Sequence, residues 1–155
     1  RGGGGGLIAA VMAKDAPADG YTIFFATISV LSTNVAVYPK LPYDAIRDFA
    51  PISLTHRAPF VLVSIPSLPV KTVKDLVAYA KNNPDKSNYP TSSPAFTIAS
   101  ELFKLKTGMP GTPIPYRSTN EMALAVAGGQ ALFAFPDSAS VKPREMRFWG
   151  MATPV

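Results

Sequence analysis

Cysteine is absent from the 155 residues, which excludes disulfides, thiolate catalysis and cysteine-ligated zinc or iron–sulfur centres. Histidine occurs once, as His56 in "LTHRAP". A single imidazole with no paired carboxylate motif makes neither a metal site nor a catalytic triad, so a structural or solvent-facing role is expected. Neither a G-x-S-x-G elbow nor an H-E-x-x-H helix occurs. No apolar run approaches the roughly eighteen residues a membrane-spanning helix needs. Charge is sparse too, at 16% of residues against 47% hydrophobic. That balance marks a core-forming chain rather than a disordered one, and the length suits one ordinary domain.

Two features that are present point to chemistry only superficially. Glycines fill positions 2–6, but a dinucleotide fingerprint begun at Gly2 requires glycine where Leu7 stands, and no strand precedes it. A flexible loop leading into a helix is the expected structure there. The net charge is +5, with a pI near 9.6. The basic residues are scattered, however, and the one tight cluster is "KPREMR", with Lys142, Arg144 and Arg147 interrupted by Glu145. No row of aromatics for base stacking accompanies it, so nucleic-acid binding is not expected and a solvated basic face drawing in small anions is. The opening "RGGGGGL" has neither methionine nor a signal-peptide pattern, as in a processed chain or a piece of a longer one.

Along the chain, helical and extended patterns alternate. Leu7–Lys14 is helical in composition, "PADG" is a turn, and the β-formers of "YTIFFAT" at 21–27 predict a buried strand, too apolar to lie uncovered. "LSTNVAVY" suits one or two helical turns, and "PKLPYDAIRDFAP", with three prolines in thirteen residues, an ordered surface connection. Strands are predicted at "PISLTH", "FVLVSI", "TPIPY", "ALFAF" and "RFWGMA". Thr72 with Asp75, and Ser118 with Glu121, have capping-box spacing for two helices, the first stopped by Pro84 and the second by Gly128 and Gly129. A third helix starts in "SSPAFTIASELF", where Ser93 suits the N-cap and Pro94 the first helical position. Phe96, Ala99, Leu102, Phe103 and Lys106 follow at helical spacing, and Gly108 closes it. The alternation predicts an α/β fold with a largely parallel sheet.

With acid–base chemistry nearly absent, small hydroxyls at strand–helix junctions are the candidate functional groups. They are Thr27 and Ser29 after the first predicted strand, Ser92 and Ser93 after "SNY", and Ser118 and Thr119 after "IPY". A helix start offers unpaired N–H groups and the positive end of a dipole, so several starts converging on one cleft bind an anion without arginine.

The stretch "DGYTIFFATISVLSTNVAVYPKLPYDAIRDFAPISL" resembles the extracytoplasmic solute-binding proteins of tripartite tricarboxylate transporters, the Bordetella uptake protein family. The similarity continues through "VLVSIPSLPVKTVKDLVAYAKNNPDKSNY", "ASELFKLKTG", "IPYRSTNEMALAVAGGQ" and "RFWGMAT". It implies an α/β type II periplasmic binding protein, two lobes joined by hinge strands, of which this chain holds part of lobe one (residues 1–55) and most of lobe two (56–155). The hinge strands would lie near 52–65 and 147–155, with His56 close by. An earlier strand and a glycine-rich carboxylate clamp would precede this chain, and further sequence would follow it. The implied function is capture of a small carboxylate or amino acid in the periplasm by a monomer, which delivers it to the membrane subunits of the transporter. No cofactor, metal or catalytic step is implied. A sensor handing its liganded form to a signalling partner is the alternative.

The ligand groups implied are Thr27, Ser29, Ser92, Ser93, Thr97 and Asp137. Thr97 stands where the family often has histidine, the loop before "ELF" lacks the family's glycines, and "Phe135-Pro136-Asp137" replaces a family F-D-N. Tricarboxylates, dicarboxylates, acidic amino acids and aromatic carboxylates all suit such a set.

Overall fold

The computed structural model describes residues 4–141 and 146–152. Two compact units are present: Arg1–Thr55 together with Ser93–Ala95, and His56–Ser92 together with Phe96–Val155.

In the second unit, β1 (Phe60–Ser64) is the middle strand of a three-stranded sheet, between β4 (Phe133–Ala134) and β5 (Arg147–Ala152). Both pairings are antiparallel, with Val63 opposite Ala134 on one side and Phe148 on the other. A register shift between Val61 and Val63 marks an irregularity toward β5. "FVLVS" is apolar almost throughout because both of its faces are covered. Val61 and Val63 pack with Phe96, Met122 and Val126, while Leu62 packs with Leu76, Tyr89 and Phe133.

A second sheet is the parallel pair β2 (Asn88–Thr91) and β3 (Thr112–Pro115), with Asn88 opposite Thr112. The connection between them is helix α4 (Pro94–Thr107), the crossover that parallel strands require. Among the described residues a largely parallel sheet is therefore not what forms. The strands that flank β1 come from far along the chain and run against it.

The helices follow their local signals closely. In α3 (Val73–Asn82) the Thr72 hydroxyl accepts from the Asp75 N–H at 3.1 Å, and the Asp75 carboxylate accepts from the Thr72 N–H at 3.0 Å. That is a complete capping box. Leu76 and Ala80 of α3 are fully buried. In α5 (Thr119–Ala127) the Ser118 hydroxyl caps Glu121, but the Glu121 carboxylate reaches the N–H of Arg117 instead of Ser118. Gly129 ends that helix at φ 76° and Gly108 ends α4 at φ 64°, both left-handed positions that favour glycine. The covered face of α4 runs through Phe96, Ala99, Ser100 and Phe103, so Leu102, grouped with this face on spacing, lies half exposed instead.

The first unit holds α1 (Leu7–Lys14), a wide helical turn at Ser29–Thr33 and α2 (Asn34–Val37) that continues it. Its core is small: Ala10, Val30 and Tyr43, with Leu7, Phe24, Leu41, Ala45 and Phe49 against them. "YTIFFAT" and "PISLTH" form no strand. Their β-rich composition is real, but a strand exists only when a ladder partner does, and neither segment has one among the described residues. As a result Tyr21, Ile23, Phe25, Ile52 and Leu54 are all exposed, Ile23 by 77%, while Phe24 is partly covered.

Arg147 is no part of a solvated basic face. Its guanidinium donates to the backbone carbonyls of Pro66 at 3.0 Å, Leu68 at 3.1 Å and Val70, and it lies 5.6 Å from the Trp149 ring centroid. Lys142, Arg144 and Glu145 lie outside the described residues.

Candidate functional site

Three helix starts meet within the first unit. The first is the glycine turn Gly4–Gly6 that enters α1. Gly5 and Gly6 have φ of 60° and 86°, and a methyl group would be tight at the first and collide at the second. On Gly5 it would come 3.1 Å from Pro94 Cδ, and on Gly6 2.6 Å from Val30 Cγ2. Glycine is thus favoured at both by backbone sign, and at Gly6 demanded by space as well. Where a flexible loop was expected, the described glycines are packed. The second start is the turn at Ser29, whose Val30 and Leu31 N–H groups donate to the Thr27 carbonyl at 3.1 and 3.2 Å. The third is α4, which begins at Pro94 directly after Ser93.

Ser29 and Ser93, 64 residues apart in sequence, are joined by a hydrogen bond in which Ser29 Oγ donates to Ser93 Oγ at 3.4 Å. Ser29 is buried and Thr27 exposed. Behind them Asn34, fully buried, donates from Nδ2 to the Gly5 carbonyl at 3.3 Å and to the Tyr43 hydroxyl at 3.1 Å. Tyr43 in turn donates to the Val30 carbonyl at 2.7 Å. Sequence reasoning names none of Gly5, Gly6, Asn34 and Tyr43 as a group of this site. The five-glycine run was the available signal for the first two. Asn34 and Tyr43 carry none, because their role exists only through contacts distant in sequence.

The remaining candidates belong to the second unit. Ser92 Oγ lies 3.7 Å from the Met122 sulfur, and the Thr91 and Thr97 hydroxyls bond one another. Asp137 caps the short turn Ser138–Ser140, accepting from the Ser140 N–H and hydroxyl at 3.0 Å. Its carboxylate also faces the Ser140 hydroxyl through the second oxygen, at 3.1 Å. Thr97 is therefore engaged with the end of β2 and Asp137 with the turn it caps, both within their own unit.

No cluster of histidine, cysteine, aspartate or glutamate suited to a metal exists among the described residues. The same residues contain no helix long and apolar enough to cross a membrane. The carboxylates with lowered pKa do local structural work. Asp75 is held down by the N–H groups of Lys71 and Thr72 and the Thr72 hydroxyl, and Asp44 by the N–H groups of Ile46 and Arg47. Glu101 is held down by the Tyr89 hydroxyl and by Lys104, while burial and then Glu101 push the Tyr89 phenol up.

Helix starts carrying hydroxyls and glycine on an α/β scaffold are an arrangement suited to anions. Residues 1–147 match the tripartite tricarboxylate transporter family receptor, and the chain belongs to that family. Over 132 residues, 83% of this chain, it is 30% identical to protein BugT of Bordetella pertussis, of which the match takes in 40%. Among solved structures it superposes with a TM-score of 0.90 and 34% identity on "R. palustris Rpa4515 with adipate", covering 96% of this chain and 52% of that one. A protein described as a periplasmic transporter gives a TM-score of 0.92 at 33% identity, with 99% and 53% covered. The fold is accordingly that of the family's periplasmic binding proteins. The chain spans about half the length of these solved relatives.

Proposed function

We propose that this chain is the binding portion of a periplasmic receptor that holds a small carboxylate and hands it, chemically unchanged, to the membrane subunits of a tripartite tricarboxylate transporter. The observation that carries the proposal is the meeting of the α1, Ser29 and α4 starts, with the Ser29 and Ser93 hydroxyls paired at 3.4 Å. The positive dipole ends of helix starts attract a carboxylate, and hydroxyls orient it. The adipate that accompanies a 34% identical relative supports a dicarboxylate as the ligand class. We assign Thr27, Ser29, Ser92, Ser93, Thr97 and Asp137 as ligand groups. Residues 1–55 then belong to one lobe and the rest, apart from Ser93–Ala95, to the other, with hinge segments near 52–65 and 147–152. The receptor works as a monomer, without a cofactor.

Magnitudes constrain the arrangement. A helix start contributes about 0.3–1 kcal/mol to an anion, or about 2 when partly buried. Micromolar affinity needs about 8 kcal/mol. Several starts and hydroxyls must therefore act on one ligand, and no single cap suffices. The test is mass spectrometry of small molecules released from the purified protein, followed by calorimetry with adipate and a panel of di- and tricarboxylates. Reversible binding of a carboxylate recovered unaltered is expected. A folded chain that binds none of them, or that converts one to product, overturns the proposal.

A further inference from the structure

Asn34 is an unusual choice for the place it occupies. It is 0% exposed, its Oδ1 has no partner among the described residues, and apolar neighbours surround the Tyr43 that it bonds. An apolar side chain of similar size would avoid stranding an amide oxygen. What asparagine does here, and leucine cannot, is donate twice from one nitrogen. One hydrogen goes to the Gly5 carbonyl and the other to the Tyr43 oxygen. The direction is unambiguous. Tyr43 spends its own proton on the Val30 carbonyl, so its oxygen must accept from Asn34. Turning the Asn34 amide over would set its oxygen against the Gly5 carbonyl, acceptor against acceptor.

This relay ties together backbone that lies 25 residues apart in sequence, since it ends on the carbonyls of Gly5 and Val30. Gly5 sits in the turn packed on Pro94 at the α4 start, and Val30 follows Ser29, which bonds Ser93. Gly6 meanwhile contacts Val30 so closely that no Cβ fits. We propose that Asn34 and Tyr43 are positioning residues, which set the spacing of the three helix starts without touching the ligand. The inference deepens the carboxylate-site assignment above and rests on it for its effect on affinity, though not for its effect on the glycine turn.

Two variants test it. Tyr43→Phe keeps the ring that packs edge-on to Phe49 and deletes only the relay oxygen. Asn34→Leu removes both donors together with the stranded acceptor. Two readouts are taken on each folded variant: amide hydrogen exchange at Gly5, Gly6 and Val30, and calorimetry with adipate. At least tenfold faster exchange at those amides is expected, with exchange in α3 unchanged, and adipate affinity at least tenfold weaker. A merely structural pair would lower the melting temperature but leave the folded variants' affinity alone. Exchange within twofold of the parent in both variants overturns the proposal. So does unaltered affinity if the parent binds adipate. If the parent binds no carboxylate while exchange at the glycine turn still accelerates, the carboxylate assignment fails and the positioning role stands.

Discussion

Arg147 donates to the carbonyl of Leu68, 79 residues earlier, at 3.1 Å. With Pro66 and Val70 it gathers three carbonyls of the loop between β1 and α3 under one guanidinium. A planar fork does this and an ammonium cannot. Arg147→Lys should therefore cost stability despite keeping the charge, by about 1.5–3 kcal/mol for hydrogen bonds to a charged group. Urea denaturation measures it, and a loss below about 0.5 kcal/mol would return Arg147 to the surface role suggested by its basic neighbours.

The capping box of α3 gives a second prediction. Thr72→Ala removes the hydroxyl that accepts from Asp75 N–H and should destabilise the second unit by about 1 kcal/mol. Thr72→Ser, which retains the acceptor, should restore most of it. Thermal unfolding of the three proteins decides.

Acid should act through the same cap. The folded-state pKa of Asp75 lies below its ordinary value, as do those of Asp44 and Glu101. Folded proteins with lowered carboxylate pKa bind fewer protons than their unfolded chains. Their contribution is present above the unfolded value and is lost as pH falls through the folded one. Stability should be flat near neutrality and decline below about pH 4, the ordinary carboxylate range. Asp75→Asn should decline less steeply over that acid range, and an unchanged slope would show that the cap does not titrate as assigned.

Core and surface leucines should separate cleanly. Leu76 is fully buried and Leu105 is 82% exposed. Leu76→Ala should cost about 2–5 kcal/mol through lost burial and the cavity left behind. Leu105→Ala should stay within about 0.5 kcal/mol. Chemical denaturation of both variants checks the contrast.

The exposed apolar side chains Tyr21, Ile23, Phe25, Ile52 and Leu54 of the first unit should bind an environment-sensitive dye in the folded protein. Ile23→Lys should reduce that signal at unchanged melting temperature, since the side chain it replaces is 77% exposed. Absence of dye binding by the folded parent would show that this surface is covered in solution.

Much of this molecule was determined locally. The α3 cap needs only Thr72 and Asp75, three residues apart, and the α4 start needs only Pro94 after Ser93. Gly108 and Gly129 end helices by backbone sign alone. The hydroxyls at helix starts were likewise legible as candidate anion groups, because caps and ligand groups share one chemistry. Tertiary structure decided what depends on distant partners. "YTIFFAT" has strand composition, but pairing is not a property of a segment, and no ladder forms on it among the described residues. "FVLVS" is no more strand-like, yet it is one because β4 and β5 reach it, both antiparallel to it. The pairing of Ser29 with Ser93, the Asn34–Tyr43 relay and the grip of Arg147 on Leu68 span 64, 9 and 79 residues. Sequence periodicity carries no information about such contacts, since burial and hydrogen bonding at these positions are settled only when the chain closes on itself.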